Sequence, residues 1–332
     1  MARLYREVAG EPRQGKREAC MYKNLSPSSL GVSGRQSELI ELALTYKFRG
    51  FDLDMVPVCR QAELRGLDHA RRFIASAKIK IGGFELPVRW QGDESLYRQD
   101  LKRLEAIAKV AAEVGALGCH TAVMPASDER PYHENFEFHR QRFNEIAEVL
   151  QPHGVRLGLG LRAAAPLRAD RQFQFIASPD ALLTLLQTIA LPNVGIVVDT
   201  WNWHVGGGTL DQLRDLGASR VVGLRLADLP RDVPLETLVE KQRLLPGESG
   251  VVPNVGIVSL LAAMGYEGPV TPYAHASRFR GKTRDKIVQR AAEALRGIFQ
   301  AAELEEAARP VPVAAAVGAK GQEDELGGIE GS

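Results

Sequence analysis

The chain has 332 residues, of which 45% are hydrophobic and 25% are charged, a composition typical of a soluble globular protein. Its 42 lysines and arginines almost balance its 41 aspartates and glutamates, so no overall field favours a nucleic acid or an anionic membrane as partner. Three widely spaced cysteines, Cys20, Cys59 and Cys119, indicate a reducing compartment. Charged residues interrupt the N-terminal stretch, so we expect no signal peptide or membrane span, and a cytoplasmic location.

Helical and strand patterns alternate along most of the chain. About eight short apolar runs, each followed by a segment of helical periodicity, predict a closed (β/α)8 TIM barrel, with a doubly wound open sheet as the runner-up. The predicted strands span 21–24, 50–55, 79–82, 119–124, 155–161, 194–199, 221–226 and 268–273. The predicted helices span 38–46, 60–75, 94–114, 133–150, 179–189, 209–216, 257–264 and 283–306.

Domain boundaries follow from the same patterns. We predict an N-terminal extension over residues 1–19, a single barrel domain over residues 20–306 and a disordered tail over residues 307–332. The tail is rich in Ala, Gly, Pro and Glu and has no apolar period, so it has little to bury in a packed core. No second domain is predicted.

One stretch carries most signs of a binding site. The apolar run 194–198 stops at Asp199, and Trp201, Trp203 and His204 follow in a predicted loop before the glycines 206–208. A buried strand that ends in such residues is typical of the carboxyl-end face of a barrel. We expect one tryptophan to stack on a sugar and the other to pack against a helix. The glycines either cradle a phosphate or form a tight turn, and the lack of a following Lys or Ser favours the turn.

Four motifs in order resemble the sugar phosphate isomerase/epimerase family, the xylose-isomerase-like barrels. The resemblance covers about residues 20–306 and implies a barrel that moves a proton between neighbouring carbons of a small sugar or polyol. It also implies one divalent metal, held by a carboxylate on strand five, an aspartate on strand six, a histidine or glutamine on strand seven and a glutamate on strand eight. The motifs are Asp199-Thr200-Trp201, Gly207-Gly208, Arg243-Leu244-Leu245-Pro246-Gly247-Glu248 and Gly265-Tyr266-Glu267-Gly268-Pro269-Val270.

The chain departs from that ligand pattern at three of the four positions. Asp199 stands at the strand-six position, but Gly160, Arg225 and Tyr273 stand at those of strands five, seven and eight. Glycine has no side chain, arginine has no lone pair and neutral tyrosine is a poor ligand. We therefore predict no family-type metal cofactor, and we expect Arg225 to replace the metal charge in an ion pair with Asp199. The alternative is that both charges reach solvent.

Several further side chains are candidates for the same mouth. His204, His275 and Glu248 form either a relocated metal or acid-base set or ordinary polar rim positions. Arg243 and Glu248, in the loop motif, either close over a substrate or pair with each other. The sequence does not decide between these alternatives.

Two aspartates near the end of the second predicted strand and one histidine near the start of the fourth complete the candidates. Asp52 and Asp54 share a face of the strand, so they form either a catalytic carboxylate pair or a solvated edge of the mouth. His120 is predicted to be a structural residue.

Two functions remain open at this level. The first is a barrel with reduced or no metal-dependent activity that binds a small sugar, a polyol or a partner subunit. The second is an active isomerase or epimerase that works without metal or with relocated ligands. We expect no nucleic acid or membrane partner, and association into a homo-oligomer stays open. The catalytic candidates are Asp199, His204, Arg225 and His275, and the substrate-binding candidates are Trp201, Trp203, Tyr273, Arg243 and Glu248.

Overall fold

Eight parallel strands close into a barrel in a computed structural model, which describes residues 18, 19 and 21–306. The last strand pairs with the first, with Val270 beside Lys23, so the sheet has no edge and the open-sheet alternative is wrong. The barrel predicted from the sequence is thereby confirmed. The strands are β1 Tyr22–Leu25, β2 Gly50–Asp52, β3 Lys80–Glu85, β4 Gly118–Ala122, β5 Arg156–Gly160, β6 Val194–Asp199, β7 Val221–Leu226 and β8 Pro269–Pro272.

The helices form a shell around the barrel. Two short segments outside it, Glu18–Ala19 and Glu305–Glu306, pair in parallel. The predicted tail and most of the predicted N-terminal extension lie outside the described residues. The helices are α1 Gln36–Thr45, α2 Met55–Arg65, α3 Leu67–Ser76, α4 Glu94–Glu113, α5 Tyr132–Leu150, α6 Pro179–Thr188, α7 Thr200–Val205, α8 Leu210–Leu216, α9 Asn254–Ala263 and α10 Arg284–Ala301.

Two helix predictions are wrong for reasons that the backbone shows. The helix predicted over 60–75 is two helices, because Gly66 adopts a φ of 87° between α2 and α3. The last helix ends at Ala301 rather than at residue 306, and the positive φ of Glu303, 55°, turns the chain toward its short pairing segment. Within residues 21–306, no helix has the length and apolar character that crossing a membrane requires.

The barrel interior is packed by setting glycines on some strands against large side chains on others. A Cβ added to Gly83 would lie 2.5 Å from Cε1 of His120, and one added to Gly50 would lie 2.6 Å from Oδ1 of Asn24. Asn24 is completely buried and His120 nearly so. Their side chains therefore fill the space that the glycines leave, and the position of His120 agrees with its predicted structural role.

Candidate functional site

Asp199 both ends strand β6 and caps the helix that follows. All six residues of β6 are buried, and Oδ1 of Asp199 accepts a hydrogen bond from the backbone N–H of Asn202 at 3.0 Å. An aspartate in this position satisfies an N–H group that a helix start leaves free. Helix α7 therefore begins directly at Thr200, and the predicted loop after Asp199, including the loop position of His204, is wrong.

The ion-pair partner of Asp199 is Arg243. Nη1 of Arg243 lies 2.7 Å from Oδ1 and 2.9 Å from Oδ2, and the two side chains are only 2% and 7% exposed. The guanidinium carbon lies 4.7 Å from the ring centre of Trp201 and 4.1 Å from that of Tyr273. A cation held against two aromatic rings thus neutralises the buried carboxylate. The predicted pair between Asp199 and Arg225 is wrong, because the loop after β7 brings Arg243 to this carboxylate.

Arg225 reaches a different carboxylate at the mouth. It is in register with Asp199 on the neighbouring strand, yet its Nη2 donates to Oε1 of Glu85 at 2.7 Å. The same nitrogen lies 3.5 Å from Nδ1 of His120. Burial lowers the pKa of Arg225, but the charges of Glu85 and Asp52 raise it by more than burial lowers it. The net shift of the pKa is therefore upward. Arg225 is therefore a firmly charged cation between two carboxylates.

Asp228 fixes the loop that carries Arg243. Backbone bonds of 2.9 and 2.8 Å join Asp228 and Leu244 in an isolated bridge, which places the preceding residue, Arg243, over Asp199. Burial raises the pKa of the Asp228 carboxyl, but its hydrogen bonds hold the pKa below the ordinary value. The donors are the Ser249 hydroxyl and the backbone N–H groups of Leu229, Ser249, Gly250 and Val252. This role of Asp228 is not predicted from the sequence.

Two candidate residues of the proposed acid-base set, His204 and His275, lie in separate structural elements. His204 is half-buried in α7, where burial lowers its pKa although Asp228 opposes the shift. His275 precedes a short helical turn, and its Nδ1 accepts from the backbone N–H of Ser277 at 3.2 Å. Within the described chain, no hydrogen bond or ion pair joins His204, His275 and Glu248.

Glu248 pairs with arginines on and before the last helix rather than with Arg243. Its carboxylate lies 3.1 Å from Nη2 of Arg290 on α10 and 3.8 Å from Nη2 of Arg278. The alternative in which Arg243 and Glu248 pair with each other is therefore wrong, since Arg243 is taken by Asp199. Closure of this loop over a substrate stays a prediction.

Both tryptophans after β6 are packing residues. Trp201 is completely buried against Arg243, and Trp203 is 3% exposed, with its Nε1 donating to the Thr209 carbonyl at 3.1 Å. Neither ring is free to stack on a sugar, so the expectation of one ligand-facing tryptophan is wrong. The early start of α7 explains this, because it turns both rings into the protein. Gly208 lies against the Trp203 ring, which agrees with the tight-turn interpretation.

The two aspartates near the end of β2 do not form a pair. Asp54 caps α2 and accepts from the backbone N–H of Val56 at 3.0 Å. Asp52 instead accepts from Nδ2 of Asn24 at 2.8 Å and belongs to the mouth. Burial raises the pKa of Asp52, while Arg225 and the hydrogen bond from Asn24 oppose that rise. We call the group formed by Asn24, Asp52, Glu85 and Arg225 the Asp52–Arg225 cluster.

The positions that the family resemblance assigns to metal ligands do not form a cation site. A Cβ added to Gly160 would find its nearest neighbour at 3.4 Å, so this position contributes only space. Arg225 carries a positive charge, the Tyr273 ring lies on Arg243, and both oxygens of Asp199 are engaged. Among residues 21–306, no three His, Cys, Asp or Glu side chains converge as metal ligands would. The residues present therefore do not fit a family-type divalent metal.

The chain belongs to the family described as xylose isomerase-like TIM barrel, whose family model matches residues 40–303. An inosose isomerase from Halalkalibacterium halodurans is 24% identical over 134 residues, which are 38% of this chain and 42% of that relative. The chain thus spans less than half of that relative's length.

Solved structures share the barrel. The xylose isomerase domain protein from Alicyclobacillus acidocaldarius superposes with a TM-score of 0.76 at 26% identity, over 85% of this chain and 99% of that one. The IOLI protein with a zinc atom superposes with a TM-score of 0.66 at 14% identity, over 85% and 98% of the two chains. The second likeness shows the fold alone.

Proposed function

We propose that this protein binds a small, uncharged sugar or polyol at the barrel mouth, without the divalent-metal chemistry of the barrels it resembles. The observation that carries the proposal is the buried pair of Asp199 and Arg243, in which Nη1 bonds both carboxylate oxygens. Asp199 is the one residue of the family ligand pattern that the chain retains. A metal at this carboxylate would have to displace a cation already held there, and it would also meet the charge of Arg225.

The charges of the mouth favour a neutral polyhydroxy ligand over a phosphorylated one. Three carboxylates, those of Asp52, Glu85 and Asp199, stand against the two guanidinium groups of Arg225 and Arg243. A phosphate would meet this excess of negative charge. Sugar hydroxyls both donate and accept hydrogen bonds, so they suit a surface in which an exposed carboxylate and a guanidinium lie side by side.

Metal titration tests the metal-free part of the proposal. Purified full-length protein is titrated with Mn²⁺ and Zn²⁺ by calorimetry at neutral pH, and its metal content is measured by elemental analysis. We expect no stoichiometric, tight binding. Tight binding of one equivalent that Asp199→Asn abolishes would contradict the proposal, because that carboxylate would then be available to a metal after all.

Ligand-observed NMR tests the sugar-binding part. An inosose and D-xylose serve as probes, because an inosose isomerase is a relative and the family takes its name from xylose isomerase. We expect saturation transfer to at least one of these probes, and its loss when Arg225→Met removes the mouth cation. An absence of binding across a wider panel of neutral sugars and cyclic polyols would overturn this part.

A second function, metal-free isomerisation or epimerisation, is supported by one carboxyl group at the mouth. Of the acid-base residues that the sequence suggested, Asp199 and His275 have structural partners, and His204 is half-buried in α7. Asp52, in contrast, lies at the end of β2, where Nδ2 of Asn24 donates to it at 2.8 Å; burial raises the pKa of this carboxyl group, and the charge of Arg225 opposes the rise. A carboxyl group with a raised pKa beside a fixed cation is a common element of proton-transfer sites.

A further inference from the structure

We propose that Asp52 and Arg225 form a metal-independent proton-transfer centre for α-hydroxy ketones of the sugar or cyclic polyol class. Asp52 carries a proton between neighbouring carbons, and Arg225 holds the oxygen on which negative charge develops. The proposal rests on the proposed function, because it requires that such a ligand binds at the same mouth.

The positions of Asp52 and Arg225 in the barrel favour such a centre. Asp52 ends β2 and Arg225 lies near the end of β7, so both stand at the carboxyl-end face, where barrel enzymes build their sites. The completely buried Asn24 holds Asp52, because its Nδ2 donates to Oδ1 of Asp52 at 2.8 Å and to Oγ1 of Thr271 at 2.9 Å. The carboxyl group is therefore oriented from inside the barrel, as a proton-transfer group must be.

Arg225 has hydrogen-bonding capacity that the protein does not use. In the described chain, its protein contacts use only Nη2, which donates to Glu85 at 2.7 Å and lies 3.5 Å from Nδ1 of His120. Nε and Nη1 make no hydrogen bond there, and the side chain keeps 21% of its surface exposed. These N–H groups are free to donate to a ligand oxygen, and Glu85 fixes the plane of the guanidinium.

Asp52 and Arg225 interact through their charges, without a hydrogen bond or an ion pair between them. Elsewhere at the mouth, Asp199 and Arg243 are in direct contact. The Asp52 carboxyl group and the Arg225 guanidinium are thus not paired with each other, unlike Asp199 and Arg243.

The histidine beside Arg225 is uncharged near neutral pH. His120 is 4% exposed, and burial, with help from the charge of Arg225, lowers its pKa to about 3. It therefore adds no second positive charge near neutral pH, and Arg225 supplies the cation of the cluster. Asp52 is kept partly desolvated, which makes its carboxylate a stronger base than an exposed one.

The reaction balances without an oxidant or a metal. The Asp52 carboxylate removes the proton from the carbon that bears the hydroxyl group, and the C–H electron pair forms a C=C bond with the carbonyl carbon. The carbonyl π electrons move onto oxygen, and the resulting enediolate accepts a hydrogen bond from Arg225. Glu85 passes the hydroxyl proton to the enediolate oxygen, the new carbonyl forms, and Asp52 returns its proton to the former carbonyl carbon. The product is an isomer of the substrate.

Deuterium exchange tests this centre directly. The full-length protein is incubated with an inosose or with D-fructose in deuterated buffer containing EDTA, and ¹H NMR follows the signal of the C–H group next to the carbonyl. We expect exchange by the native protein and a loss of about 100-fold or more in Asp52→Asn, the usual scale of a general-base contribution. Arg225→Lys should lose exchange while its fold, checked by circular dichroism, is retained. Asp54→Asn is the matched control, because Asp54 caps α2 outside the cluster.

The outcomes separate the two proposals. Ligand-observed NMR on the same samples measures binding independently of exchange. Exchange that is lost in Asp52→Asn while binding persists supports the centre. Binding without exchange in the native protein, or exchange that Asp52→Asn leaves unchanged, overturns the centre and leaves the proposed binding function standing. An absence of both binding and exchange overturns the two together.

Discussion

The guanidinium of Arg243 bonds both carboxylate oxygens of Asp199 across a separation of 44 residues in sequence, and both side chains are buried. One charge comes from a barrel strand and the other from the loop after β7. Two charges removed from water in this way depend on each other, because either one alone would be left desolvated and unpaired. The pair therefore fixes the loop to the barrel.

Arg243→Met tests this dependence. We expect the free energy of unfolding, measured by urea denaturation, to fall by about 3–5 kcal/mol, because the substitution leaves the Asp199 carboxylate buried without its cation. The double variant Asp199→Asn, Arg243→Met should recover part of that loss. Arg214→Met is the control, because the exposed pair of Arg214 and Asp211 is worth less than about 1 kcal/mol. If Arg243→Met and Arg214→Met lowered the free energy of unfolding equally, the buried pair would contribute no more to stability than the exposed pair.

Two glycines on strand β5, Gly158 and Gly160, should differ in how well they tolerate a larger side chain. A Cβ on Gly158 would lie 2.8 Å from Cγ2 of Val197 and 3.0 Å from Cβ of Val222, whereas one on Gly160 would have no neighbour nearer than 3.4 Å. Gly158→Ala should therefore lower the free energy of unfolding by about 1–3 kcal/mol through overpacking. Gly160→Ala should change it by less than about 1 kcal/mol. Thermal unfolding ranks the two variants, and the reverse order would contradict this packing.

Two buried histidines predict a loss of stability in mild acid. Burial lowers the pKa of His120 to about 3 and that of His139 to about 4, both well below the ordinary value of 6.5. The unfolded chain then binds more protons than the native one, so stability is full above pH 6.5 and is lost as the pH falls toward these values. Each histidine should contribute a loss of about 2 kcal/mol at pH 5.

His139→Phe checks the histidine that lies among aromatic rings. His139 is completely buried, and its ring centre lies 4.6 Å from that of Phe175 and 5.0 Å from that of Trp90. The variant should flatten the dependence of the unfolding free energy on pH between 6.5 and 4. The exposed His133→Gln should leave the slope unchanged, and an unchanged slope in both variants would exclude His139 as a source of the acid sensitivity.

Substitution of Asp52 should raise the stability of the fold by an amount that depends on pH. Because its native pKa is raised above the value in the unfolded chain, its contribution to stability is full below that unfolded value of 3.8 and is lost as the pH rises through the native pKa. Asp52→Asn should therefore raise the melting temperature at pH 7, and the gain should vanish below about pH 4. A melting temperature that falls at pH 7 would mean that Arg225 stabilises the carboxylate more than burial destabilises it.

The fold could be predicted because the barrel repeats one local pattern. The hydrophobic pattern of a few residues predicts each strand and each helix, and few topologies are compatible with their ordered alternation. The strand face on which Asp199 and Arg225 lie also follows from the period of two. These features need no knowledge of long-range contacts.

The partners at the mouth could not be predicted, because they depend on the path of a long loop. Nothing local places Arg243 beside Asp199; the bonds that Asp228 makes to Leu244 and to residues 249–252 do so. The sequence does carry one local signal that Asp199 and Asp54 have structural roles. Asp199 and Asp54 each stand directly before a helix, where aspartate is a preferred cap.

The double duty of Asp199 constrains how this mouth can change over evolution. Its Oδ1 serves the first turn of α7 and the Arg243 guanidinium at once. A ligand that bound this oxygen would remove the cap of α7 and would also leave the buried guanidinium of Arg243 without its carboxylate. A descendant of this barrel that took up a metal would need a new cap and a new place for Arg243 before the ligands themselves were of use, so no single substitution leads there.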